Sequence, residues 1–102
     1  MKAEMFIYVN WPVNSMNKYF TENGWIDYVY WQTEDRKTLK KINSLIKDIE
    51  RNGNCGTGKP EPLVGNLSAY WGRRINNKDR LIYKIVAEDI YILSCRFHYG
   101  DK

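Results

Sequence analysis

Two stretches in the first half of the chain have the residue spacing of amphipathic helices. Thr21 is a typical N-cap residue and predicts a helix that continues to about Gln32. One face of this helix is predicted to carry Trp25, Tyr28, Val29 and Gln32. Thr33 is followed by two acidic residues and predicts the start of a second helix to about Arg51, because acidic side chains stabilise the first turn. Its predicted buried stripe is Leu39, Ile42, Leu45, Ile46 and Ile49, and its predicted outer face is Lys37, Lys40, Lys41 and Lys47.

Alternating apolar and polar residues predict strands on both sides of these helices. A short strand is expected at 18–20, and a loop rich in Gly, Asn and Pro is expected at 52–66. The later strands are expected at 67–75, 80–87 and 90–99, with turns at 76–79 and near 88–89. This order predicts an α+β fold in which both helices pack on one face of an antiparallel sheet of about four strands.

The pairing of the last two strands determines which residues share the sheet face away from the helices. A three-residue turn at 88–90 keeps the apolar residues together, whereas a two-residue turn would mix apolar and polar residues. The predicted helix-facing pairs are Leu81 with Phe97, Tyr83 with Cys95 and Ile85 with Leu93. The pairs predicted on the opposite face are Arg80 with His98, Ile82 with Arg96 and Lys84 with Ser94. This register predicts a polar, basic face with Arg80 beside His98.

Charge is distributed unevenly along the 102 residues. Residues 1–35 carry two basic and five acidic residues, a net charge of −3, and residues 36–102 carry fourteen basic and seven acidic residues, a net charge of +7. The positive part suggests a polyanionic partner such as nucleic acid, although a basic helix face is equally consistent with a solvated surface. An aromatic content of 15% excludes a disordered chain, and no apolar run reaches membrane-spanning length.

The cysteines and the N-terminus indicate the cellular compartment and the domain organisation. Cys55 and Cys95 are isolated, and no signal peptide precedes them, which is typical of a reduced cytoplasmic protein. With a single histidine, no metal site and no cofactor is expected. Residues 1–15 are expected to be an extension of a single domain at 16–102; the alternative is that 5–9 forms an additional strand.

The polar face carries groups suited to cleavage of RNA. Attack of a 2′-oxygen on the adjacent phosphorus requires a base, an acid and positive charge on the phosphate. His98 titrates near neutrality and Arg80 can bind a phosphate, while Glu61 lies between two prolines that restrict its backbone. A glutamate in such a loop is more often a surface residue. On the strand at 67–75, Trp71 is expected in the core and Arg74 on the polar face, and the side of Tyr70 is left open.

Five motifs carry a resemblance to a known family. They are YVYWQTEDRKTLKKINSLIKDIER at 28–51, GTGKPEPL at 56–63, NLSAYWGRRI at 66–75, RLIYKI at 80–85 and CRFHY at 95–99. Together they make the chain, from about residue 16 to residue 99, similar to the YoeB (also called Txe) branch of the RelE-type toxins. The resemblance implies a cytoplasmic messenger RNA interferase that cuts codons in the ribosomal A site without a metal. It also implies inhibition by a YefM-type antitoxin, operator DNA binding only through that complex, and a possible homodimer.

The resemblance implies a role for individual residues as well. Glu61 is identified as the general base, His98 as the general acid, Arg80 as the group that steadies the phosphate, and Tyr99 as a residue near the leaving group. Lys59, Arg74 and Arg96 are expected to contact RNA. Gly100–Lys102 follow the usual terminal pair of the family, which leaves any role of a carboxylate beside Tyr99 open.

The sequence leaves two alternatives to a nuclease open. ParE-type toxins share the RelE scaffold but inhibit DNA gyrase, and the joint presence of Glu61, Arg80 and His98 argues against that branch. A binding module that docks on RNA or on an antitoxin without chemistry is the other alternative. Such a binder would tolerate replacement of Glu61, because removing an acid from a basic face does not weaken RNA binding.

Overall fold

The computed structural model describes residues 16–97. The expected extension at residues 1–15, the alternative strand at 5–9, and both His98 and Tyr99 lie outside the described residues. The described elements are β1 (Asn17–Phe20), α1 (Glu22–Glu34), α2 (Arg36–Asn52), β2 (Glu61–Pro62), β3 (Trp71–Arg74), β4 (Arg80–Val86) and β5 (Asp89–Ser94). Neither helix of residues 16–97 is long and apolar enough to cross a membrane.

The α+β class and the placement of both helices on one sheet face are confirmed. The sheet has the order β1-β5-β4-β3-β2, with β1 parallel to β5 and the other pairs antiparallel. The parallel β1–β5 pair makes the sheet mixed, whereas a purely antiparallel sheet was expected. A fifth strand is present because two residues of the expected loop, Glu61 and Pro62, pair with β3. The strand expected at 67–75 is shorter, since residues 65–67 form a 3-10 turn and β3 begins at Trp71.

The core lies between α2 and the sheet, as the sequence predicted. The stripe of α2 is buried at Ile42, Leu45, Ile46 and Ile49, and Leu39 packs at its margin. It contacts the sheet residues Leu81, Tyr83, Ile90, Ile92 and Cys95. The predicted outer lysines of α2 are all exposed. Each fully buried aliphatic side chain contributes about 1.5–3 kcal/mol relative to an exposed one, so this cluster is a main source of stability.

The face predicted for α1 is wrong except at Tyr28, which packs against the core. Trp25, Val29 and Gln32 are exposed, and the buried residues are Gly24, Asp27 and Trp31. Hydrogen bonds determine this orientation: the Asp27 carboxylate accepts from the backbone N–H of Cys95 at 3.0 Å, and Trp31 Nε1 donates to the carbonyl of Cys95 at 2.8 Å. A Cβ at position 24 would lie 2.5 Å from the carbonyl oxygen of Ile92, so only glycine allows this approach.

The start of the second helix also differs from the prediction. Thr33 belongs to α1, where its hydroxyl donates to the Tyr30 carbonyl, and the N-cap of α2 is Asp35. The Asp35 carboxylate accepts from the backbone N–H groups of Lys37 and Thr38. A side-chain hydrogen bond from Thr38 is the main cause that lowers the pKa of Asp35 below its usual value.

The register predicted for the last hairpin is wrong in its partners. Ala87 adopts a φ of 56°, which allows a two-residue turn with Glu88 instead of three residues. The observed pairs are Ile85 with Ile90, Lys84 with Tyr91, Tyr83 with Ile92 and, after a β-bulge, Ile82 with Ser94. The bulge places Leu93 as an extra residue in β5, which resets the alternation and returns Cys95 to the core. Leu81 and Tyr83 therefore face the helices as predicted, although with other partners.

Candidate active site

The sheet face opposite α1 and α2 carries a set of polar residues in register. Residues that oppose each other in an antiparallel pair point to the same side, so the pairing determines which residues are included. We call this surface the polar face; it comprises Glu61, Gly72, Arg74, Arg80, Ile82, Lys84, Tyr91 and Ser94. The prediction that Arg80 and Arg74 share one face is confirmed by their pairing across β3 and β4.

Glu61 lies at one side of the polar face. It pairs with Gly72, Gly72 pairs with Ile82, and Ile82 pairs with Ser94, so these four residues form a row across four strands. The Arg74–Arg80 pair is the next row on the same face, two residues further along β3. From strand spacing, the Cα atoms of Glu61 and Arg80 are roughly 12 Å apart, a separation that two long side chains can span around one phosphate. The chemistry-bearing groups of two distant sequence motifs thus meet on one surface.

A buried arginine fixes the segment that precedes Glu61. Arg73 points to the helix face and has no exposed surface. Its Nε donates to the Tyr83 hydroxyl at 3.2 Å, and Nη1 donates to Asp48 at 2.5 Å and to the Thr57 carbonyl at 3.0 Å. Its Nη2 donates to the carbonyls of Gly53 and Cys55 at 2.6 and 2.7 Å. All five N–H groups of the guanidinium are therefore used, and they hold residues 53–57 against the sheet.

Further contacts extend this support toward Glu61. The backbone N–H of Arg74 donates to the Gly58 carbonyl at 2.7 Å, and a Cβ at position 58 would lie 2.9 Å from Leu45. The hydrogen bond from Arg73 holds the pKa of Asp48 below its usual value, and burial raises the pKa of Tyr83. The carboxylate and the phenol thus stay in the charge states that bind the arginine, and the loop that leads to Glu61 is fixed at residues 53–58.

The segment that precedes His98 is tied to the other end of the polar face. The backbone N–H of Arg80 donates to the Phe97 carbonyl at 3.0 Å, and the Asp79 carboxylate accepts from the Phe97 N–H at 2.7 Å. Arg80 itself is almost fully buried, and its Nη1 donates to the carbonyls of Asn76 and Asp79. The residue before His98 is therefore bound next to Arg80. His98 lies outside the described residues, so its proximity to Arg80 stays a prediction.

Left-handed backbone occurs beside both predicted catalytic motifs. Lys59, two residues before Glu61, has a φ of 50°, and Phe97, the residue before His98, has a φ of 69°. Ala87 in the hairpin turn is the third non-glycine residue with positive φ among residues 16–97. Such conformations cost energy and persist where the surrounding contacts impose them, and functional sites are enriched in them.

The remaining predicted site residues occupy different environments. Lys59 and Arg74 are exposed. The predicted pairing of Arg96 with Ile82 is wrong, because the bulge shifts the register; its guanidinium lies 3.5 Å from the ring centroid of Tyr30 in α1. Trp71 packs at the edge of the core as expected. Within residues 16–97, no three His, Cys, Asp or Glu side chains come together as a group that could hold a metal ion.

The sequence did not reveal the residues that position this site. Arg73 and Arg74 are identical in type, and only the strand register separates the buried one from the exposed one. Asp79 could have been found from its turn, since Asn76 accepts from the N–H groups of Lys78 and Asp79 as asparagine often does in turns. Asp27 gave no signal, because an aspartate within a helix is usually solvated.

Comparisons with known proteins identify the family to which this chain belongs. Residues 20–99 match the family described as YoeB-like toxin of bacterial type II toxin-antitoxin system. Toxin YoeB from Synechocystis is 58% identical over 80 residues, which cover 78% of this chain and 93% of that protein. The YoeB dimer from Staphylococcus aureus superposes with a TM-score of 0.79 at 46% identity, over 83% of this chain and 99% of that one. A YoeB-YefM complex from the same organism gives a TM-score of 0.78 at 46% identity, over 82% and 98%. The chain therefore belongs to the YoeB family of RelE-type toxins, the toxin components of bacterial type II toxin-antitoxin systems.

Proposed function

We propose that this toxin is a ribosome-dependent endoribonuclease that cleaves translated messenger RNA in the cytoplasm by metal-independent acid-base chemistry. The observation that carries the proposal is the register of the polar face. It brings Glu61 into the row beside the Arg74–Arg80 pair, and Arg80 binds the residue that precedes His98. The proposed base and the proposed phosphate-binding cation therefore lie on one sheet face, and the residue before the proposed acid is hydrogen-bonded to Arg80.

In the proposed reaction, Glu61 accepts the proton of a 2′-hydroxyl as its oxygen attacks the adjacent phosphorus. His98 donates a proton to the departing 5′-oxygen, so that the P–O5′ bond breaks and a cyclic phosphate and a free 5′-hydroxyl remain. Arg80 and Arg74 stabilise the negative charge that develops on the phosphate oxygens, and Tyr99 lies near the leaving group. Each positioned acid or base typically contributes about 10²–10⁴-fold in rate.

Lys59, Arg74 and Arg96 are the further RNA contacts in this proposal. Lys59 and Arg74 are exposed, and Lys59 immediately precedes the Pro60–Pro62 segment. Arg96 stacks on Tyr30 and Phe97, so it would reach RNA only from the side of the C-terminal segment. Its contribution is therefore expected to be the smallest of the three.

We also propose that the chain is held inactive by an antitoxin of the YefM type, that it contacts operator DNA only through that complex, and that it forms a homodimer. Support comes from the related YoeB-YefM complex and YoeB dimer of Staphylococcus aureus. The domain is proposed to span 16–102, with 1–15 as an extension, since the family match begins at residue 20.

The test of the nuclease is a comparison of Glu61→Gln, His98→Ala and Glu88→Gln with the unchanged chain. Each is expressed from a repressed promoter, and mRNA ends are mapped by primer extension. New ends within translated codons should occur with the unchanged chain and with Glu88→Gln, whose exposed carboxylate lies in the hairpin turn. They should fall by about 10²-fold or more in the other two variants.

The opposite result points to the alternative functions. Growth arrest without new RNA ends would favour inhibition of DNA gyrase, or binding without catalysis, over RNA cleavage. Cleavage that continues undiminished in soluble Glu61→Gln would remove Glu61 from the mechanism.

A further inference from the structure

Tyrosines and one lysine form a row across the polar face, beyond the residues of the proposed reaction. Tyr19 in β1 pairs with Tyr91 in β5, and their rings stack at a centroid distance of 5.0 Å. Tyr91 pairs in turn with Lys84 in β4. The Lys84 Nζ lies 5.8 Å from the Tyr91 ring centroid and 5.1 Å from that of Tyr70, the residue before β3. The ammonium group of Lys84 is therefore held between two aromatic rings.

No carboxylate among residues 16–97 forms an ion pair with Lys84. Among residues 16–97, the ion pairs join Lys18 to Glu50 and Arg73 to Asp48. Lys84 is half-buried, and its contacts with Tyr70 and Tyr91 restrict the positions that its ammonium group can take. A cation in this state is preorganised for an anion that approaches the polar face.

The position of Lys84 relates it to the proposed reaction. Lys84 follows Ile82 by two residues and Arg80 by four, and all three are on the polar face. At the rise of a strand, Lys84 is roughly 13 Å from Arg80 along β4. A single RNA strand whose cleaved phosphate lies at Arg80 would bring the phosphate of a nearby nucleotide over Lys84.

We propose that Lys84, held by Tyr70 and Tyr91, is a binding subsite for the phosphate of a nucleotide that flanks the cleaved bond. The subsite rests on the proposed ribonuclease function. Single-stranded RNA is favoured over an acidic peptide because Lys84 lies on the same sheet face as the Arg74–Arg80 pair, and because cations interleaved with aromatic rings are typical of single-stranded nucleic-acid sites. The tyrosines position Lys84, and Lys84 contacts the substrate.

The experiment measures the affinity of the purified protein for a fluorescent single-stranded RNA oligonucleotide that carries 2′-O-methyl groups and cannot be cleaved, over a range of salt concentrations. The variants are Lys84→Gln, Lys84→Arg, Tyr91→Leu and, as a matched control on the outer face of α2, Lys40→Gln. Lys84→Gln should weaken binding about tenfold and reduce the slope of log affinity against log salt by about one. Lys84→Arg should restore both values, Tyr91→Leu should weaken binding a few-fold, and Lys40→Gln should match the unchanged protein.

Several results would overturn the subsite. They are an unchanged salt slope in Lys84→Gln, an equal loss in Lys40→Gln, or no RNA binding by the unchanged protein at low salt. Polyglutamate of the same length serves as the competing probe, and an equal loss of its binding in Lys84→Gln would assign the lysine to acidic peptides instead. Because binding is read without cleavage, failure of the subsite is distinguished from failure of the nuclease, which the Glu61→Gln variant tests. Circular dichroism confirms that each variant is folded.

Discussion

Two adjacent arginines of β3 show how differently the two faces of the sheet use the same side chain. Arg73 faces the helices, has no exposed surface and donates five hydrogen bonds within the protein. Arg74 faces the other way, is exposed, and pairs across the strands with Arg80. The helix face thus uses its charge to hold a loop, whereas the polar face presents its charge to the surroundings.

This difference separates stability from ligand binding within one strand. A buried arginine destabilises the fold unless its N–H groups are hydrogen-bonded, so the residues that accept from Arg73 must keep one arrangement. An exposed arginine has little effect on the free energy of unfolding, and its N–H groups can donate to a phosphate. Substitutions on the helix face should therefore change the free energy of unfolding, and those on the polar face should change the proposed RNA cleavage or binding.

The largest effect is expected from Arg73→Met. Removal of the guanidinium leaves three carbonyls without their donor and Asp48 without its ion-pair partner, and breaking a buried ion pair in this way costs about 3–5 kcal/mol in the free energy of unfolding. The control Arg74→Met should change that free energy by less than about 0.5 kcal/mol. Urea denaturation followed by circular dichroism measures both, and similar losses in the two variants would abolish the distinction between the faces.

A smaller effect should depend on pH. The hydrogen bond from Arg73 lowers the pKa of Asp48 in the folded protein, so Asp48 contributes stability above its unfolded pKa of about 3.8, and this contribution is lost as the pH falls through the lower folded value. Asp48→Asn should lower the free energy of unfolding by about 2 kcal/mol at neutral pH. Measured by urea denaturation from neutral pH to about pH 2, the difference from the unchanged protein should shrink in acid. A difference independent of pH would show that the charge of Asp48 is not involved.

The smallest effect concerns the join between α1 and β5. The Thr21 hydroxyl accepts from the Gly24 N–H at 3.0 Å and donates to the Leu93 carbonyl at the bulge at 2.8 Å. Thr21→Ala should therefore cost about 1 kcal/mol of unfolding free energy. Thr33→Ala, which removes only a bond to the preceding turn of α1, should cost less. If Thr33→Ala were the more damaging change in thermal melts, the cap of α1 would not contribute as proposed.

The elements that the sequence predicted well are those with a regular pattern. The stripe of α2 repeats at helical spacing, and its residues are buried as expected. The inward face of α1 was missed because Asp27 and Gly24 lie on it, and hydropathy assigns both to the outside. The hairpin partners were missed because Ala87 adopts a left-handed conformation and β5 contains a bulge. Neither feature can be recognised from the alternation of apolar and polar residues.

The candidate site was predictable in part for the same reason. Arg80 was placed on the polar face from alternation alone, and the structure agrees. Glu61 was selected as a residue type in a proline-bounded motif, but its pairing with Gly72 could not be predicted, since β2 has only two residues. Contacts such as that of Asp79 with Phe97 join distant parts of the chain and become visible only in three dimensions.

The parallel pairing of β1 with β5 has a consequence for the synthesis of the protein. Asn17 and Asp89, which pair across these strands, are 72 residues apart. Among residues 16–97, β1 pairs only with β5, so this pairing cannot form until β5 has left the ribosome. A nascent chain therefore acquires the complete polar face, including the stacked pair of Tyr19 and Tyr91, only at the end of its synthesis.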